Sequence, residues 1–232
     1  MKIRSLLAIL ALAFATGVQA DEIKQVETCV NINGDTFSVG EAGCLGGDPT
    51  SPDIDDNIAA SGFGSVIVML TGVGDYLVSM FVDYDIDQDT NTFFNEFGVS
   101  GGALAGGQGW EIDEPGWSFG DIVDNFFDST FDNSNGVPSG LEDDVSMGLG
   151  WDFSLEDGET AVISFFLSEN QPGSGFWLNH VDPDSQYGYY FSSTLEIRGD
   201  EPAGVPEPGT LLLLGAGLLG LAASRRRRQR LS

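Results

Sequence analysis

Positive charge is the scarcest commodity in this chain: nine Lys and Arg stand against 36 Asp and Glu in 232 residues. Between residues 21 and 204 the imbalance is sharper, with 35 acidic residues against Lys24 and Arg198 alone, a net charge of −33. Such a surface repels nucleic acid and anionic lipid and attracts cations, so nucleic-acid binding is excluded as a function. It also opposes its own compaction unless salt or bound cations screen it. Calcium binding and a high-salt habitat each account for that composition.

Histidine is nearly absent. With His180 alone, the chain has no His-Glu-x-x-His helix and no paired zinc-ligand spacing, and it also lacks a Gly-x-Ser-x-Gly elbow. A catalytic centre would have to be built from carboxylates, and their abundance makes any nominal pair uninformative. The expected role is therefore non-enzymatic. No repeat of fixed period is present, which argues against a propeller or solenoid. The glycine-rich stretch Gly101 to Gly109 lacks a phosphate-loop lysine, so its glycines serve turns rather than nucleotides.

What the chain does have is concentrated first at its ends. Lys2 and Arg4 precede the apolar stretch Leu6 to Phe14, and Val18-Gln19-Ala20 offers small residues ahead of Asp21. This reads as a secretory signal for the Sec export machinery, cleaved between Ala20 and Asp21. At the other end, Thr210 to Ala223 carries no charge and runs straight into Arg225, Arg226, Arg227 and Arg228. A helix of about 15 residues spans about 22 Å, short of a hydrocarbon core of about 30 Å. Snorkelling arginines and local thinning of the bilayer make up the difference. The arginines set the orientation, with Ser232 cytoplasmic and the acidic region outside. The expectation is a single-pass helix in the inner membrane.

Directly before that helix stand Pro206, Glu207 and Pro208. A Pro-Glu-Pro box, a short Leu/Gly/Ala helix and a terminal arginine cluster, in that order, resemble the PEP-CTERM sorting signal of bacterial exported proteins. The resemblance is confined to the last 28 or so residues. It implies recognition by exosortase, a membrane-embedded cysteine protease-transpeptidase that removes the tail, and delivery to the cell surface or an extracellular polysaccharide matrix. The chain thus divides into a signal peptide (1–20), an acidic extracytoplasmic domain (21–204) and a sorting segment (205–232).

Cys29 and Cys44, the only cysteines, both fall in the exported part and are expected to form a disulfide. Alternating burial predicts strands. Val66 to Leu70 and Tyr76 to Val82 read as one hairpin around Gly72 to Asp75. Val145 to Leu155 and Thr160 to Leu167 read as a second, around Glu156-Asp157-Gly158. Tyr187 to Ile197 is a last strand. From Gly120 to Phe131 the apolar positions switch to helical spacing, with Ser118 or Asp121 as cap. The fold class is all-β, an antiparallel β-sandwich with a jelly roll among its forms, carrying one short amphipathic helix.

One stretch suggests chemistry. From Asp85, carboxylates and amide fall as Asp85, Asp87, Asp89 and Asn91, with Glu96 at position 12 of the same count. That spacing converges oxygens on a hard cation in calcium loops. Thr90 replaces the usual turn glycine and the flanks do not read as helices, so only a calcium-loop-like acidic turn is expected. Two other acidic runs, Asp53 to Asp56 and Glu142 to Asp144, read as solubilising loops. Asp182 and Asp184 flank Pro183 in a turn beside His180, which is either a metal or general-base cluster or a turn whose histidine is merely hydrogen-bonded. Trp110 and Trp117 border acidic residues and could stack on sugar rings. The function expected is a structural or adhesive component of the cell surface or extracellular matrix. A carbohydrate-binding module is the alternative, and a carboxylate-based glycosidase stands third.

Overall fold

The computed structural model describes residues 23–44, 46–48, 51–87, 92, 94–116 and 119–199. Among these residues eleven strands and one helix follow in chain order: β1 Ile23–Ile32, β2 Asp35–Ser38, β3 Ile54–Asp56, β4 Gly64–Thr71, β5 Gly74–Ile86, β6 Phe97–Gly101, β7 Gln108–Asp113, α1 Ile122–Asp128, β8 Ser146–Leu155, β9 Glu159–Ser168, β10 Trp177–Val181 and β11 Gly188–Gly199. They form two antiparallel sheets, β2-β1-β5-β8-β7 and β3-β4-β9-β11-β10-β6.

The periodicity in the sequence places the core. In β5, Val78, Met80, Val82, Tyr84 and Ile86 point between the sheets, as do Met147, Leu149, Trp151 and Phe153 in β8. They meet Val66 and Val68 of β4, Ile163 and Phe165 of β9, and Tyr189 and Phe191 of β11. Each large apolar side chain removed from water contributes about 1.5–3 kcal/mol, so two fully alternating faces suffice to hold the layers together.

Neither expected hairpin forms. β4 pairs with β9 and β5 pairs with β8, so the short turns at Gly72 and at Glu156–Gly158 carry the chain from one sheet to the other. The two crossings run side by side, Thr71 opposite Thr160 and Gly74 opposite Leu155. A pair of strands therefore passes between the sheets together, as in a rolled antiparallel ribbon. A local hairpin does occur where Asn33 and Gly34, at φ 53° and 95°, join β1 to β2. Positive φ at both central positions is the geometry an Asn-Gly turn favours.

Part of the outer face of the five-stranded sheet is covered. A second apolar cluster of Phe81, Ile122, Phe126, Phe131 and Cys29 lies there under α1. The helix is shorter than its apolar spacing predicts, and it ends at Ser129 in a left-handed conformation, before Phe131. Asp121 stands at its N-cap without a side-chain cap bond; its own N–H donates to Asp113 Oδ2 instead. Asn31 ties the far end, donating to the carbonyls of Phe126 and Phe127 at 3.0 and 3.1 Å. Cys29 and Cys44 are joined as a disulfide. The last strand follows its expected phase except at the end, where Ile197 is exposed.

The two ends of the sandwich differ. β1 begins where β5 ends, Ile23 opposite Ile86. β11 ends at Gly199, opposite Glu159 and thus at the far end of the strands.

Candidate acidic site at the end of strand 5

Past its core positions, β5 keeps alternating, and the residues that fall on its outer face become acidic: Ser79 and Phe81 give way to Asp83 and Asp85. Both aspartates are buried, because two segments fold over them. Glu96, just before β6, pairs with Asp143 through N–H···O bonds of 3.1 and 3.0 Å. This bridge brings in Asp144, at the entry to β8. One oxygen from each of Asp85, Glu96 and Asp144 lies within 4.8 Å of the others.

Glu96 is held on both oxygens. Its Oε1 accepts the Ile86 N–H at 2.8 Å, and its Oε2 sits 2.8 Å from His180 Nε2. The other ring nitrogen, Nδ1, is 3.2 Å from the Tyr189 hydroxyl. His180 itself is fully buried. Asp182 is also buried and serves its turn, accepting from the Asp184 N–H at 2.8 Å and the Ser185 hydroxyl at 2.9 Å. Of the two roles open to the His180 turn, hydrogen bonding is the one its contacts show.

Burial of like charges dominates the electrostatics. Burial pushes the Asp83 carboxyl well above the usual range, with the charges of Asp144 and Asp85 adding to the shift. Asp144 is raised to about 6, first by burial and then by the charges of Asp85 and Glu96. Asp83 is only 5% exposed. One oxygen of Asp83 and one of Asp144, both Oδ1, are buried without a hydrogen-bond partner. Lys24 Nζ reaches Asp85 Oδ2 at 3.9 Å from a side chain that is 58% exposed.

Of the sequence-predicted set, the structure brings Asp85 and Glu96 together. Asp87 is buried at a left-handed φ of 52°, outside the 4.8 Å grouping. Asp89 and Asn91 lie outside the described residues. Asp83 and Asp144 were not expected. Asp144 sits in a run that reads as solubilising, and only the bridge from Asp143 to Glu96 corrects that reading. Asp83 had a signal, since it shares the strand face of Asp85 by the two-residue period.

Two further acidic groupings occur among the described residues. Glu27 lies with Cys29 and Cys44, which form the disulfide. Glu111 lies with Asp113 and Asp121, but both its oxygens accept from Asn125 at 3.1 and 3.0 Å. Trp110 is half-buried, with its ring 5.4 Å from that of Phe176 at a tilt of 48°. Trp117 lies outside the described residues.

A model of the PEP-CTERM protein-sorting motif matches residues 204–228. The chain carries a PEP-CTERM signal. The PEP-CTERM match contains Pro206, Glu207 and Pro208 and the arginines Arg225 to Arg228, and it follows closely on the last strand. It implies an exosortase as processing partner, and export with membrane anchoring before sorting. No curated protein and no solved structure matches the chain. The sorting residues, the expected membrane helix and the Ala20–Asp21 cleavage site lie outside the described residues. No helix among the described residues is long and apolar enough to cross a membrane.

Proposed function

We propose that the protein is a non-enzymatic structural or adhesive component of the cell surface or extracellular matrix, released there by exosortase and stabilised by calcium. The observation that carries this reading is the PEP-CTERM motif standing directly behind a two-sheet body with a disulfide. The acidic surface fits a milieu in which salt and divalent cations screen it.

Fractionation of cells tests it. The parent chain is expected outside the cell, shortened at its C-terminus. A chain with Pro206→Ala and Pro208→Ala, or the parent in cells without exosortase, is expected to stay at full length in the membrane fraction. Identical distribution in all three would sink the proposal.

A second reading, saccharide binding, is favoured by a groove of about 430 Å³ on the outer face of the five-stranded sheet. Gly109, Gly150 and Ser79 form its floor, with Phe131, Leu77 and Asp152 among its walls. A Cβ at Gly109 would meet nothing closer than 3.7 Å, so glycine there leaves open a space that a side chain could fill. The Ser79 hydroxyl is buried without a partner. Retardation of the protein in gels containing neutral polysaccharide, lost in Gly109→Leu, would favour this reading. Unretarded migration of the parent would remove it.

A further inference from the structure

The acidic site at the end of β5 carries the inference that goes furthest. We propose that Asp83, Asp85, Glu96 and Asp144 bind one calcium ion. This rests on the extracellular reading, because calcium sites of extracellular modules work at about 10⁻⁴–10⁻³ M.

Geometry argues first. Calcium holds its oxygens at about 2.3–2.6 Å, so ligands on opposite sides of one ion stand up to about 5 Å apart. The 4.8 Å grouping of Asp85, Glu96 and Asp144 fits around a single ion of that size. Asp83, nearly fully buried and two residues before Asp85 on the same strand face, stands outside the 4.8 Å grouping but within reach of the charges of Asp144 and Asp85; its Oδ1 has no partner, and neither has that of Asp144. Buried carboxylates are ordinarily paired or coordinate metals, because an unpaired one is expensive to desolvate.

The surrounding charge argues second. Of the residues 23–199 only Lys24 and Arg198 are permanently cationic. Arg198 pairs with Glu196, and Lys24 touches Asp85 from the solvent side. One lysine does not balance four carboxylates. The donor set is oxygen throughout, which suits calcium, whereas zinc prefers nitrogen and sulfur. Magnesium demands near-ideal octahedral geometry and gives up its waters reluctantly, so it is expected to bind this set less well.

The support behind the site argues third. Glu96 is fixed by the Ile86 N–H and by His180, and His180 in turn by Tyr189. Partners of this kind orient metal-binding carboxylates, and removing one typically weakens binding 10- to 100-fold.

The test uses the full-length protein, purified in detergent and stripped with a chelator. Calcium is titrated by calorimetry and by its effect on the melting temperature, with magnesium as comparison. Expected are one ion bound per chain at about 10⁻⁴–10⁻³ M, a higher melting temperature, and a much weaker magnesium response. Asp83→Asn and Asp144→Asn are each expected to weaken calcium binding more than about 10-fold. Each is also expected to melt higher than the parent in chelator, because each relieves repulsion between buried like charges. That opposed pair of signs separates a ligand from a merely structural acid. Variants that melt lower in chelator and keep the parent's affinity would overturn the site, as would unsaturable heats or equal responses to both ions. Calcium binding by a chain that fractionation finds in the cytoplasm would support the site and overturn the extracellular reading.

Discussion

Glu111 shows how a single buried acid can hold a covering layer in place. It lies on the outer face of β7, and its carboxylate receives Asn125 from α1 and the Asp132 N–H at 3.3 Å from the loop beyond. Burial raises its pKa to about 7, outweighing those hydrogen bonds, with Asp132 and Asp121 adding to the rise. A carboxyl whose folded pKa lies above its unfolded value binds its proton more tightly when folded. Its contribution to stability is therefore full below about pH 4.5 and is lost as pH rises through about 7. The melting temperature of Glu111→Gln is expected to fall less than the parent's between pH 5 and pH 8. Parallel curves would show that Glu111 titrates as an ordinary carboxylate. None of this is visible in the sequence, where Glu111 is one acid among 36.

At the scale of elements, strands were legible and their partners were not. Alternation in Val145 to Leu155 gives away burial on one face because a strand's period is two, whichever strand it pairs with. The turns at Gly72 and Glu156–Gly158 are short enough for hairpins, yet each links different sheets, and no local signal distinguishes the two outcomes. The helix was legible from Ile122, Val123 and Phe126, but its end was not, since Ser129 adopts a left-handed conformation more often given to glycine.

Packing of this layer makes two predictions. A Cβ at Gly148 would stand 2.4 Å from the Phe131 ring, so Gly148→Ala is expected to destabilise by about 1–3 kcal/mol. Denaturant unfolding of Gly148→Ala combined with Phe131→Ala should show that second cost cancelled, whereas simple additivity would mean the ring moves aside freely. Reducing the Cys29–Cys44 bridge, which closes a loop with a sequence separation of 15, is expected to cost about 3 kcal/mol. An unchanged urea midpoint in dithiothreitol would contradict that.

For the whole molecule, the sequence yields the destination more readily than the site. The sorting residues are contiguous, so their order alone identifies them. The acidic site is assembled from β5, the approach to β6 and the approach to β8. Spacing could therefore find Asp85 and Glu96, which stand close together in sequence, but not Asp144, which arrives only through the bridge to Glu96.

The placement of the chain's ends has a mechanical meaning. Ile23 opens β1 at the acidic end, and Gly199 closes β11 at the other, on the side from which the sorting segment continues. Once one terminus is attached and the other is tugged by a partner or by flowing water, the pull runs along the strands. Hydrogen bonds across β1–β5 and β9–β11 are then strained sideways all together, where a hairpin held at both tips would peel open one bond at a time. This body is arranged to resist being drawn out lengthwise, and a pulling experiment through its two termini should meet far more resistance than one through neighbouring loops at the same end.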